Sequence, residues 1–168
     1  MLKASFLSLL FTALLFGQNS KDYPFFGLSV SSQNINTNPG DPSWEGGVGL
    51  RYGQQSLDWR TVFTLDYTQN SYFGANVEID KILLDDMFGT AKLRPYLGAV
   101  VGYMSYDDSN LNITYEETNG FYFGANFGFI IYASDNVDID ISYHYYSVQN
   151  LDFLDDLHGG TLAMHYFF

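Results

Sequence analysis

The chain has 168 residues, enough for one domain and not comfortably two. Seven Lys and Arg stand against nineteen Asp and Glu, a formal charge of -12, which argues against nucleic acid as a partner because such binding needs basic side chains to neutralise phosphates. There is no cysteine, so a disulfide, a thiolate metal site and a cysteine nucleophile are all excluded.

Aromatic residues make up 18% of the chain, with fifteen Phe, fourteen Tyr and two Trp. A soluble acidic domain gains little from so many rings. A β-barrel in lipid uses them on its outward face and as amphipathic girdles at both water interfaces.

The N-terminus reads Met1-Leu2-Lys3, then an apolar run from Ala4 to Phe16, then Gly17-Gln18-Asn19-Ser20. One positive charge, a hydrophobic stretch and a small residue before a polar one predict a secretory signal peptide over residues 1–20, cleaved near 17–20. The run is shorter than the about 20 apolar residues of a membrane-spanning helix. The mature domain is then 21–168.

From there the pattern is period-two alternation broken by turn chemistry. Phe26, Leu28 and Val30 alternate with Phe25, Gly27, Ser29 and Ser31. Val48, Leu50 and Tyr52 alternate with Gly47, Gly49, Arg51 and Gly53. Trp59, Thr61, Phe63, Leu65 and Tyr67 lie opposite Arg60, Val62, Thr64 and Asp66. Phe73, Ala75, Val77 and Ile79 lie opposite Tyr72, Gly74, Asn76, Glu78 and Asp80. The fifth and sixth segments set Leu97, Ala99, Val101 and Tyr103, then Phe121 to Ile131 at odd numbers, against faces rich in Gly98, Gly102, Gly124 and Gly128. In the seventh, Val137, Ile139, Ile141, Tyr143 and Tyr145 oppose Asp138, Asp140, Ser142 and His144. In the last, Leu162, Met164, Tyr166 and Phe168 oppose Thr161, Ala163, His165 and Phe167.

Eight such segments predict an all-β, eight-stranded antiparallel up-and-down transmembrane barrel, an even count as single-chain bacterial barrels require. The glycines share the polar face, where a narrow barrel has room only for side chains. With the N-terminus in the periplasm, the outer loops fall at about 34–43, 69–71, 107–119 and 149–159, and the inner turns at about 54–58, 83–91 and 133–136. The loop at 69–71 is short for an outer loop, and the turn at 83–91 is long for an inner one.

Several segments resemble a known family. Arg94-Pro95-Tyr96-Leu97-Gly98-Ala99-Val100-Val101-Gly102-Tyr103 and the Asn136 to Tyr146 strand are similar to strands of the small outer-membrane β-barrels, which include the OmpA membrane domain, OmpX-like proteins and opacity-type adhesins. Met164, Tyr166 and Phe168 resemble the terminal signal read by the barrel assembly machinery. The resemblance implies a multi-pass protein of the bacterial outer membrane, in contact with its lipid and lipopolysaccharide, monomeric and without a cofactor. It also implies that the peptidoglycan-binding domain of full OmpA-type proteins is not part of this chain.

The inward charges are Glu45, Arg51, Arg60, Asp66, Glu78, Asp80, Asp138 and Asp140, with His144 and His165 beside them. Arginines inside a narrow barrel must be paired, because an isolated buried charge is very costly. They form either a structural network that plugs the lumen or a gate across a small pore. Catalysis is not expected: Ser142-x-His144 reverses the order used by lipid A deacylases, and Asp138-x-Asp140 lies near the periplasmic end of its strand rather than the outer rim. The outer loops hold Asp41, Asp107, Asp108, Glu116, Glu117, Asp152, Asp155 and Asp156 with no Lys or Arg and no calcium-loop spacing. Carboxylates there could bridge to lipopolysaccharide phosphates through divalent cations, or simply keep the surface solvated. Phe153, Leu154 and Leu157 are apolar at a loop tip, and mark either a contact surface or a cap on the barrel mouth. The expected function is a non-enzymatic surface protein serving envelope structure or adhesion. The alternative is a narrow passive pore or a carrier of small hydrophobic molecules, similar to OmpW-like barrels.

Overall fold

The computed structural model describes residues 22–37, 42–69, 72–83, 90–106, 118–151 and 154–168. The expected signal peptide lies outside them. Eight strands follow in order: β1 (Tyr23–Thr37), β2 (Ser43–Gln55), β3 (Trp59–Thr68), β4 (Tyr72–Ile82), β5 (Leu93–Tyr106), β6 (Asn119–Tyr132), β7 (Val137–Gln149) and β8 (Leu154–Phe167). Each pairs antiparallel with its neighbour in sequence, and β8 returns to pair with β1, so the sheet closes. Closure leaves no open edge, which is what lets a sheet sit in hydrocarbon with every backbone group paired.

The parity read from the sequence is the parity of the wall. Phe26, Leu28, Val30, Val48 and Leu50 are exposed on the outside, while Arg51, Arg60, Asp80 and Asp140 are buried within. One end, here the lower, carries Tyr23, Trp59, Tyr166 and Phe168; toward the upper end stand Trp44, Tyr67, Tyr103 and Tyr145, all outward. Aromatic rings at both rims of an aliphatic and phenylalanine band are the pattern a bilayer imposes.

Two loop boundaries differ from expectation. β1 and β2 continue their pairing to Ile35 and Ser43, so the first upper connection is shorter than 34–43. β8 starts at Leu154, which makes Asp155, Asp156 and Leu157 strand residues rather than loop residues. A register shift at Asn36/Thr37 lets β1 follow β8 that far. The bulge takes up the extra residue and is the signal that the simple alternation hid. Asp41, Asp107, Asp108, Glu116, Glu117, Asp152 and Phe153 lie outside the described residues.

Candidate functional site

The lumen is filled in layers. At its centre Arg60, on β3, is 0% exposed. Its Nε donates to Asp80 Oδ2 at 2.8 Å. Its Nη2 lies 2.7 Å from Asp140 Oδ2 and 3.5 Å from Glu78 Oε1. The Asp140 contact is Coulombic rather than an aligned hydrogen bond, since that nitrogen has no partner of good geometry. Arg51, on β2, reaches the same carboxylates: Nη2 to Glu78 at 3.2 Å and Nη1 to Asp140 at 3.3 Å. Tyr96, on β5, donates its hydroxyl to Asp140 Oδ1 at 2.9 Å and lays its ring under the Arg60 guanidinium, 4.5 Å from the centroid. Four side chains from β4, β5 and β7 thus gather around the two guanidiniums of β2 and β3.

Glycine makes the space. Opposite Asp80 on β5 stands Gly98, and a Cβ there would collide with the Asp80 carboxylate and the Asn126 amide. Gly74 makes the same room for Asp66.

Above this cluster, toward the upper end, the interior is apolar. Ile35, Met104, Val148, Leu151, Leu154 and Leu157 pack with Tyr72, Tyr122 and Tyr146 into one buried group, Leu157 at 0% exposure. Leu154 and Leu157 therefore point inward. Below the cluster, His165 Nδ1 sits 2.7 Å from Asp138 Oδ1, with the Phe25 ring packed 4.5 Å from the imidazole. The lower mouth is a cup of about 370 Å3 lined by Tyr23, Gln55, Arg94 and Tyr132 among others.

No family model and no curated protein matches this chain. Solved structures do. Neisserial surface protein A is similar with a TM-score of 0.63 at 18% identity, over 86% of this chain and 97% of that one. Outer membrane protein H (OprH) from P. aeruginosa gives 0.63 at 20%, over 87% and 99%. Ail, the attachment invasion locus protein of Yersinia pestis, solved in complex with the heparin analogue sucrose octasulfate, gives 0.54 at 16%, over 88% and 99%. This is the fold of the small outer-membrane β-barrels.

In this barrel the predicted lumenal residues occupy four levels. Arg51, Arg60, Glu78, Asp80 and Asp140 meet at the centre. Asp138 pairs lower down with His165. Asp66 stands above them, 3.4 Å from Asn76 Nδ2. Glu45 is at the upper rim of β2, accepting a 3.4 Å bond from Ser43 Oγ. It is six residues from Arg51, about 20 Å along the strand, and so outside the central cluster.

Sequence reasoning passed over two groups. Arg94 is buried at the lower end, and its parity with Tyr96 was the available signal. Neutral partners were missed as well: Asn76, whose Nδ2 donates to Tyr122 Oη at 3.0 Å, Asn126, whose Nδ2 reaches Asp80 at 3.4 Å, and Gln33, which donates to Thr68 at 2.9 Å. Met164, Tyr166 and Phe168 lie on the outward face, more than half exposed. His144 faces inward with Thr161 Oγ1 3.4 Å from its Nδ1. Ser142 and His144 both line a small cavity inside the barrel.

Proposed function

We propose that the protein is a non-enzymatic surface barrel of the bacterial outer membrane, with a lumen plugged by its own side chains and its function carried by the upper, outward end. The observation that supports this reading is the pair of layers across the lumen: Arg51 and Arg60 tied to carboxylates from β4 and β7, beneath apolar side chains packed around Leu157. An eight-stranded barrel is narrow enough to be filled in this way.

Envelope structure or adhesion are the roles open to such a barrel. The connections at the upper end carry acidic residues and no Lys or Arg, so a polyanion like the one bound by Ail is unsuited to it. Cationic surfaces, or lipopolysaccharide phosphates bridged by divalent cations, suit it better. With no sheet edge exposed, the barrel is read as a monomer in lipid, inserted by the barrel assembly machinery.

Planar bilayer recording tests this. Folded wild-type protein should give no stable conductance. A steady small conductance would overturn the plug and favour the narrow-pore alternative. Retained binding to host cells or to lipopolysaccharide after all four upper connections are replaced by short Gly-Ser turns would overturn the assignment to that end.

A further inference from the structure

The apolar belt around the outside is not level. On β5 and β6 every outward position is apolar from Leu93 to Tyr103 and from Phe121 to Ile131, six in succession on each strand. Across the barrel the run is four, from Pro24 to Val30 on β1 and from Leu162 to Phe168 at the end of the chain. Above Val30 and Leu162 the outward positions turn polar or bare: Ser32, Asn34 and Asn36 on β1, Gly160, His158 and Asp156 on β8. Two missing positions amount to about 13 Å of strand, which is about 10 Å of height at a tilt of about 40°. The belt therefore has a notch in its upper half, at the seam where β1 meets β8.

Two rows of residues build the notch. In the lower row Gly46, Ser32 and Gly160 lie side by side on β2, β1 and β8, and Tyr143 of β7 closes the row. A Cβ on Gly46 or Gly160 would find nothing nearer than 4.0 or 3.8 Å, so the floor is open. In the row above, Trp44 and Tyr145 flank Asn34 and His158. The imidazole is held in place, its Nδ1 2.7 Å from Tyr143 Oη and the Trp44 ring edge-on at 6.2 Å between centroids. An acyl chain suits this surface poorly, because hydrocarbon leaves an amide and a hydroxyl without partners. A phosphate suits it no better. Among the described residues no Lys or Arg faces outward at this end, and the Asp156 carboxylate stands just above, 3.3 Å from Asn36 Nδ2. A sugar meets both demands, with hydroxyls for Ser32, Asn34 and His158 and C–H faces for the aromatic rings.

We propose that the notch seats the sugar headgroup of one outer-leaflet glycolipid, whose acyl chains run down over Val30, Val48 and Leu162. Those three pair side by side directly below the floor, so the polar seat continues into the lipid-facing band. That continuity makes the barrel's own membrane the source of the ligand. A short apolar side thins the bilayer against it, and a headgroup sunk into the notch fills the height that the chains give up. The inference rests on the outer-membrane reading given above and adds to it a ligand held by the wall rather than by the connections.

Trp44 reports on the site, since the chain has two Trp and Trp59→Phe removes the other, at the lower end. That variant is refolded in phosphocholine micelles with EDTA, which strips divalent bridges to phosphate. It is titrated with lipopolysaccharide, with dephosphorylated lipopolysaccharide and with phosphatidylethanolamine. Trp44 emission should shift to the blue and saturate near one lipid per barrel with both glycolipids, and not with phosphatidylethanolamine. Adding Asn34→Leu and His158→Leu should weaken that binding by about tenfold or more while the barrel stays heat-modifiable. Should that variant not refold, Gly160→Leu, which fills the floor, is read by the same criterion. An equal response to all three lipids, a response lost on dephosphorylation, or undiminished binding in the variant would each overturn the proposal. So would a shift that follows protein concentration without lipid, since a second copy would then cover the notch. The conductance test of the plug stands apart from this one, because a conducting barrel can hold the sugar and a plugged barrel can lack it.

Discussion

Arg60 and Asp140 touch across the barrel, 2.7 Å between Nη2 and Oδ2, although they come from β3 and β7, four strands apart in a ring of eight. The contact spans the lumen and cross-braces opposite walls, which no backbone ladder does.

Removing one side of that brace strands the other. A buried pair broken by deleting one partner typically costs about 3–5 kcal/mol. Arg60→Ala should therefore lower urea-unfolding stability in detergent by that order, while Lys92→Ala, on an exposed turn, should stay within about 0.5 kcal/mol. Equal, negligible changes would show that the inward face is misassigned.

Gly98→Ala should destabilise by about 1–3 kcal/mol, because its methyl group meets the Asp80 carboxylate that Arg60 holds. Gly160→Ala is the control. Its Cβ finds only Ser142 O, at 3.8 Å, and should change stability little. The same unfolding titration reads both, and a loss at Gly160 matching that at Gly98 would refute the packing argument.

The closed ladder should make the protein heat-modifiable. With every strand paired, unfolding in detergent has no edge from which to start. Unheated protein should migrate faster on gels than boiled protein, and identical mobility would contradict the closed barrel.

Phe168 separates folding from assembly. Its side chain is 67% exposed and its backbone N–H donates to Pro24 O at 3.2 Å. Deleting it should leave the stability of protein refolded in vitro within about 1 kcal/mol. In cells, the deletion should accumulate in the periplasm instead of the outer membrane. Normal surface levels would mean that the terminal pattern is not an assembly signal.

The wall was legible in the sequence because a strand's side chains alternate with a period of two, and one misplaced residue reverses every face. Val137 to Tyr145 alone displays it. The pairing inside was not legible. Parity says that Arg60 points inward, but strand tilt and stagger decide that it meets Asp140 and Asp80 while Glu45 stays at the rim. Neutral residues such as Asn76 and Asn126 carry no charge to draw notice, yet they hold the carboxylates in place. The β8 boundary escaped because the bulge beside Asn36 interrupts the alternation where the strand in fact continues.

Seven of the eight ladders join neighbours in sequence and can form as hairpins. The eighth pairs Phe25 with Phe167, residues at opposite ends of the domain. The cost of joining distant segments must be met before the contact gives anything back, so closure should be the slow, late event of folding. Until then the chain presents two unpaired strand edges and a half-assembled set of charges. It follows that the interval before the ring shuts is the vulnerable stage of folding, when both open edges can pair with other chains.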